Sequence, residues 1–229
     1  MNYLAYLHIL IVCALLLGGC GSEPRKLAGS SGAPVDFSGN WEVDYSQSEN
    51  IQEELNQMVR ELNRRGQQRA PGGGNKGPTV VIGSAGGNSG AYIMALARMA
   101  DMITQSPLLE IKQSDEQISV KREGNFALEC AFYSGAMQQD ESPLGSEVCG
   151  WDAHQLVFRI FLPEGLTIQH RLTMGPSGDR INVATTVRSS QVSTPFTLDR
   201  VFNRFDPGEA GYTCKMTLTR GRVCTTEAL

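Results

Sequence analysis

Four basic side chains fall where apolar neighbours set the rhythm of a strand. Arg200 and Arg204 alternate with Phe196, Leu198 and Phe202, and Arg122 follows Ile118 and Val120 in the same two-residue step. His170 is in register with Leu166, Ile168, Leu172 and Met174. Residues two apart on a strand share a face, so all four can point into an apolar interior. A buried guanidinium is costly unless paired, and it suits two-pronged recognition of a carboxylate. Arg122, His170, Arg200 and Arg204 are therefore the candidate ligand-binding residues, for the head group of an acidic or acyl ligand. The competing reading makes them structural: arginines paired at a rim, and a histidine satisfied inside the core. His154 lies in a turn and is expected to be exposed.

Other chemistry is harder to assemble. Thr79-Val80-Val81-Ile82 followed by Gly83-Ser84-Ala85-Gly86-Gly87-Asn88-Ser89-Gly90 imitates a strand, glycine turn and helix that cradle phosphate. Ala85 replaces the second glycine of the dinucleotide fingerprint, and Lys76 lies between Asn75 and Gly77 instead of completing a Walker pattern. A loop joining two helices is the simpler reading. No G-x-S-x-G, H-E-x-x-H or S-x-x-K occurs after the first twenty residues, and only His154 and His170 remain there to serve a triad. No C-x-x-C pair occurs either, which argues against zinc. The net charge of −4, with 20 basic and 24 acidic residues, contains no basic tract for nucleic acid. The expectation is a protein without catalytic residues, metal or cofactor.

The elements that would position the four basic residues follow from periodicity. Phe37-Ser38-Gly39-Asn40-Trp41-Glu42-Val43-Asp44-Tyr45 has the alternation of a first strand. Ile51, Leu55, Met58, Val59 and Leu62 then form one helical stripe up to about Gly66, with Ser46 and Glu49 as a candidate capping box. Residues 91–104 read as a second helix, closed by Pro107. From Leu109 onward the pattern is strand upon strand, with turn signals every 8–12 residues. The expected strands are 109–113, 118–122, 126–132, 156–162, 166–172, 181–187, 196–205 and 212–223. Residues 138–146 read as an acidic loop. The fold class is mainly β: an antiparallel meander of about ten strands closing as a barrel, with a two-helix insertion after the first strand. A β-sandwich is the alternative.

An almost uncharged apolar run, Tyr3–Leu17, ends in Gly18-Gly19-Cys20. It is too short to span a bilayer, which needs roughly 20 residues, and has the shape of a secretory signal. Leu17-Gly18-Gly19-Cys20 resembles a bacterial lipobox, which signal peptidase cuts before a lipid-modified cysteine. The resemblance implies a signal peptide over 1–19, acylation of Cys20 and a flexible tether over 20–36, leaving one β-rich domain over 37–229 with a helical and Gly-rich insertion at 46–106. Gly21 in place of Asp implies outer-membrane sorting, with the domain in the periplasm. Cys13 then belongs to the signal and Cys20 to the lipid. Cys130, Cys149, Cys214 and Cys224 remain, and an even number in an exported chain reads as two disulfides. Proximity favours Cys130–Cys149 and Cys214–Cys224 among three connectivities.

Phe37-Ser38-Gly39-Asn40-Trp41 also resembles the F-x-G-x-W opening of fatty-acid-binding proteins and lipocalins, and the order strand, helix, helix, meander is that of the former. The resemblance implies a ten-stranded barrel with a helical lid, and an arginine stacked on Trp41. The chain departs from it in a helical insertion about twice as long and in Arg200-Val201-Phe202, where an R-x-Y would stand. The opening and lipobox together are similar to uncharacterised proteobacterial lipoproteins. Two functions are in view: a binding module for a small apolar or lipid-like ligand, or a structural or protein-interaction lipoprotein of the envelope with a packed interior. A lined cavity of about 300 Å³ or more beneath the helices separates them.

Overall fold

The computed structural model describes residues 27–28, 35–68, 89–133, 136–137, 139–143, 145–208, 213–217 and 221–225. The signal segment, Cys20 and most of the glycine-rich stretch lie outside these residues. Strand β1 (Gly39–Val43) leads to helix α1 (Ile51–Gln68) and helix α2 (Ser89–Thr104). Strands β2 (Leu108–Gln113), β3 (Gln117–Arg122) and β4 (Leu128–Tyr133) follow, then two short strands, β5 (Ala136–Met137) and β6 (Gln139–Ser142). The meander resumes with β7 (Gly145–Asp152), β8 (Gln155–Leu162), β9 (Leu166–Met174), β10 (Arg180–Ser189) and β11 (Val192–Phe205).

These strands form one antiparallel sheet in the order β5-β4-β3-β2-β1-β11-β10-β9-β8-β7-β6. β1 lies between β2 and β11, so the first strand joins the two ends of the meander. Nine long strands thus curl into a nearly closed barrel, with the remaining gap between β4 and β7. No ladder crosses that gap among the described residues. The Cys130–Cys149 disulfide does, joining β4 to β7 with a Cα–Cα distance of 5.7 Å. A single sheet with its two ends stapled is a barrel, and the sandwich alternative falls away.

Two expected segments are corrected. Residues 138–146 are not a loop: β6 and the start of β7 pair there, from Gln139 opposite Val148 to Ser142 opposite Gly145. Their polar residues hide the alternation. The stretch 212–223 is also not one strand. β12 (Thr213–Thr217) and β13 (Gly221–Thr225) form a separate two-stranded sheet, and the two-residue rhythm runs through the reversal without marking it. At the helical insertion, the cap of α1 is Asn50, whose Oδ1 accepts from Gln52 N at 2.8 Å and Glu53 N at 3.4 Å. Ser46 and Glu49 do not make the expected box: Ser46 Oγ donates to Asp44, while Glu49 accepts from Asp199 N on β11.

Inside, the side chains form two apolar layers. The lower contains Phe37, Trp41, Ile111, Ile118, Trp151, Phe158, Leu172, Ile181 and Phe202. The upper is made by α1 and α2 with the ends of β10 and β11: Leu55, Ile93, Leu96, Ala97 and Ala100 against Val187, Phe196 and Leu198. α2 therefore fills the mouth of the barrel. Val187, Phe196, Leu198 and Ala100 are fully or almost fully withdrawn from solvent.

The other end, called here the base, is closed by the segment that precedes β1. Trp41 Nε1 donates to Phe37 O at 3.0 Å, and Gln113 holds both Val35 O and Phe37 N. Leu27 and Ala28, inside the stretch expected to be a tether, dock beside Trp151. Ala28 exchanges both backbone hydrogen bonds with it, at 2.8 and 2.7 Å, and Leu27 is buried. Gly150 permits this approach, since a Cβ there would lie 2.6 Å from Ala28 O.

Candidate functional site

Between the two apolar layers lies a polar belt. It exists because inward rows on neighbouring strands each place a polar residue at the same height. On β9 the row is Ile168, His170, Leu172; on β10 it is Ile181, Val183, Thr185, Val187; on β3 it is Ile118, Val120, Arg122; on β11 it is Leu198, Arg200, Phe202. Thr185 is directly opposite His170 in the ladder. The belt, through Arg122, His170, Thr185 and Arg200, lines a chamber of about 30 Å³ roofed by Ile103, Thr104 and Ser106 at and just after the end of α2. That volume accommodates a water or two.

His170 is fully buried. Its Nδ1 lies 2.9 Å from Thr185 Oγ1, and its Nε2 lies 3.5 Å from Arg122 Nη1. A guanidinium has only N–H donors, so the imidazole turns its lone pair, on Nε2, toward Arg122. Nδ1 then carries the proton and donates to Thr185. The imidazole is neutral: burial, and then the nearby charge of Arg122, push its pKa down to about 3.

The two arginines are held by main-chain oxygens. Arg122 Nε donates to Phe126 O at 2.8 Å and Nη1 to Ile103 O at 3.4 Å, tying the β3–β4 turn to α2. Burial lowers its pKa to about 10, opposed by the charge of Glu147. Arg200 Nη1 donates to Glu49 O at 2.7 Å, and Nη2 lies 3.7 Å from Asp101 Oδ1 on α2. Burial also lowers the Arg200 pKa, with Asp101 the first of the groups opposing it. Neighbouring Glu49 and Asp199 are raised by burial. Both guanidiniums thus bind the helical cap to the barrel wall while bordering the chamber.

Arg204 does not join them. It lies at the base, with its guanidinium carbon 4.2 Å from the centre of the Trp41 ring. Nη1 donates to Ser38 O at 2.5 Å and Nε to Gly178 O at 3.1 Å. Gly39, at φ +133°, leaves room for it, because a Cβ there would stand 2.5 Å from Arg204 Nη1. This is the arginine stacked on Trp41 that the F-x-G-x-W resemblance implied. Around it, Asp36, His154, Met174 and Ser177 line an open groove of about 430 Å³. Arg204 is solvent-exposed at the edge of this groove, its guanidinium laid over Trp41 with Nε and Nη1 committed to main-chain oxygens.

Of the candidate residues, then, the structure unites Arg122, His170 and Arg200 and separates Arg204. Thr185, Ser106 and Glu147 belong to the neighbourhood and were not singled out. Thr185 carries the same signal as His170, a polar residue interrupting an inward apolar row. Of the cysteines, Cys214 is opposite Cys224 in the β12–β13 ladder. Cys20 lies outside the described residues. Among the described residues no cluster of His, Cys, Asp and Glu could hold a metal, and no helix is long and apolar enough to cross a membrane.

The chain matches no family model and no curated protein. Among solved structures, it is similar to a mutant of the fatty acid transporter REP1-NXSQ. That likeness covers 74% of this chain and 98% of that one, at 14% identity and a TM-score of 0.35. Agreement that loose carries no argument about ligands, and the site rests on its own geometry.

Proposed function

We propose that this chain is a lipid-anchored envelope protein that acts through its outer surface, its barrel interior being packed and non-catalytic. The observation that carries this reading is volume. The chamber beneath α2 measures about 30 Å³, whereas a pocket for a drug-sized or acyl ligand needs roughly 300–1,000 Å³. Trp41, Phe37, Phe158 and Phe196 occupy space that such a ligand would need. The lipobox resemblance at Cys20 supports placement on the periplasmic face of the outer membrane, where an envelope protein is the partner. Native mass spectrometry of delipidated protein tests the reading, together with titration by a fluorescent fatty acid. Polypeptide mass alone and no saturable signal are expected. A stoichiometric apolar passenger would overturn it.

One observation favours a second reading, a gated binding module. Two guanidiniums and a neutral imidazole face inward together, where apolar residues would pack at lower cost. A small acidic ligand could place its carboxylate between Arg122 and Arg200 if α2 lifted from the mouth. Lifting would expose the face of Ile93, Leu96, Ala97 and Ala100, so the ligand's apolar part would have to replace it. Saturable binding lost in Arg200→Met, with the fold retained, would establish this reading over the first.

A further inference from the structure

We infer that the barrel stands base-down on its membrane, with the Leu27–Ala28 and Trp151 corner nearest the lipid and the helical cap facing away; this rests on Cys20 being the acylated residue. The direction of the chain decides it. β7 runs from the cap end at Gly145 to the base at Asp152, and Ala28 pairs antiparallel with Trp151. The chain therefore passes Leu27 before Ala28 while moving from base toward cap, so Leu27 lies on the base side of Ala28.

The leash is short. Seven residue steps separate Cys20 from Leu27. Fully extended they span at most about 25 Å. The barrel wall is comparable. The nine residues of β9 at ~3.3 Å each, tilted by roughly 40°, give an axial height of about 20–25 Å. Cap-down attachment would require the leash to run the whole wall at full stretch, while base-down attachment needs a fraction of it. Without the Ala28–Trp151 pairing, sixteen residue steps would separate Cys20 from Asp36, and orientation would be free. Charge does not set the pose, because the base presents both signs in Asp36, Asp179, Arg180 and Arg204. The surface left facing the periplasm is the cap, where Phe126 is 91% exposed and Met102 61% exposed.

Full-length acylated protein in vesicles, carrying a fluorescent amino acid at position 154 or 126, tests the pose by energy transfer to a head-group acceptor lipid. His154 is exposed beside the base and Phe126 beside the cap. Transfer from 154 should exceed that from 126 several-fold, and a twenty-residue Gly/Ser insertion after Gly21 should equalise the two. Equal transfer in acylated, uninserted protein would overturn the orientation alone. Absence of acyl mass on Cys20, with no transfer from either position, would overturn the anchor and the orientation together.

Discussion

Lowering the pH should destabilise the barrel through His170, and the size of the effect can be worked out. The folded pKa of about 3 lies below the unfolded value of about 6.5. Between those values the unfolded chain holds a proton that the folded chain refuses, so stability falls as pH falls through that window. Each pH unit is ~1.4 kcal/mol. Going from pH 7 to pH 5 should therefore remove ~2 kcal/mol, and going to pH 3 about 4 kcal/mol, a large part of the stability of a modest domain. The cause is local: a buried imidazolium would sit 3.5 Å from the Arg122 guanidinium. His170→Gln keeps an acceptor for Arg122 and removes the titration. Urea unfolding of both proteins at pH 7 and pH 5 isolates the effect, because contributions from Glu49, Asp199 and the exposed carboxylates are common to both. The variant should lose about 2 kcal/mol less than the parent over that interval. Parallel losses would show that the imidazole is solvated or paired differently in solution.

Other outcomes follow from the closure of the barrel. The Cys130–Cys149 bond closes a loop with a sequence separation of 19, so the double change to alanine should cost about 3 kcal/mol in denaturant unfolding. Arg204→Met removes the cation over Trp41 and two main-chain hydrogen bonds, and should lower stability by about 1–3 kcal/mol and alter tryptophan emission; unchanged emission would count against the stacked geometry. Gly39→Ala should perturb the same corner, since its Cβ would strike Arg204. Thiol labelling of unreduced, denatured protein should find Cys214 and Cys224 protected, because directly opposed residues of an antiparallel ladder lie within disulfide reach; labelling of both would exclude that bond.

The meander was legible because strands with one face in a core alternate strictly, and the rows 118–122, 156–162, 166–172 and 181–187 do so. Both helices were legible from stripes such as Ile51, Leu55, Met58 and Leu62. β6 and the start of β7 were not, because Gln139-Asp140-Glu141 carry no apolar alternation and pairing there is a matter of what lies alongside. His170 announced itself by register. Its meeting with Arg122, 48 residues away, depends on how β3 and β9 face one another across the barrel, which no local pattern encodes. The docking of Leu27 was hidden for a similar reason: a small, Pro-flanked segment looks like a tether until an unpaired edge beside Trp151 offers it hydrogen bonds.

The same logic explains why a topology suited to carrying ligands can support a filled interior. Strand number and tilt set the width of a barrel, but the free volume is what remains after the inward side chains and the cap are subtracted. In this chain the inward rows contribute Trp41, Trp151, Phe158, Phe196 and Phe202, and α2 fills the mouth with Leu96, Ala97 and Ala100. A cavity is therefore a few substitutions away, not a different fold away. Phe158→Ala, in the fully buried lower layer, should cost about 3–5 kcal/mol and leave a void for a small apolar probe such as benzene. If that variant binds the probe and the parent does not, the emptiness of the barrel is governed by side-chain size. If the parent binds it equally well, α2 opens spontaneously, and the gated reading gains over the packed one.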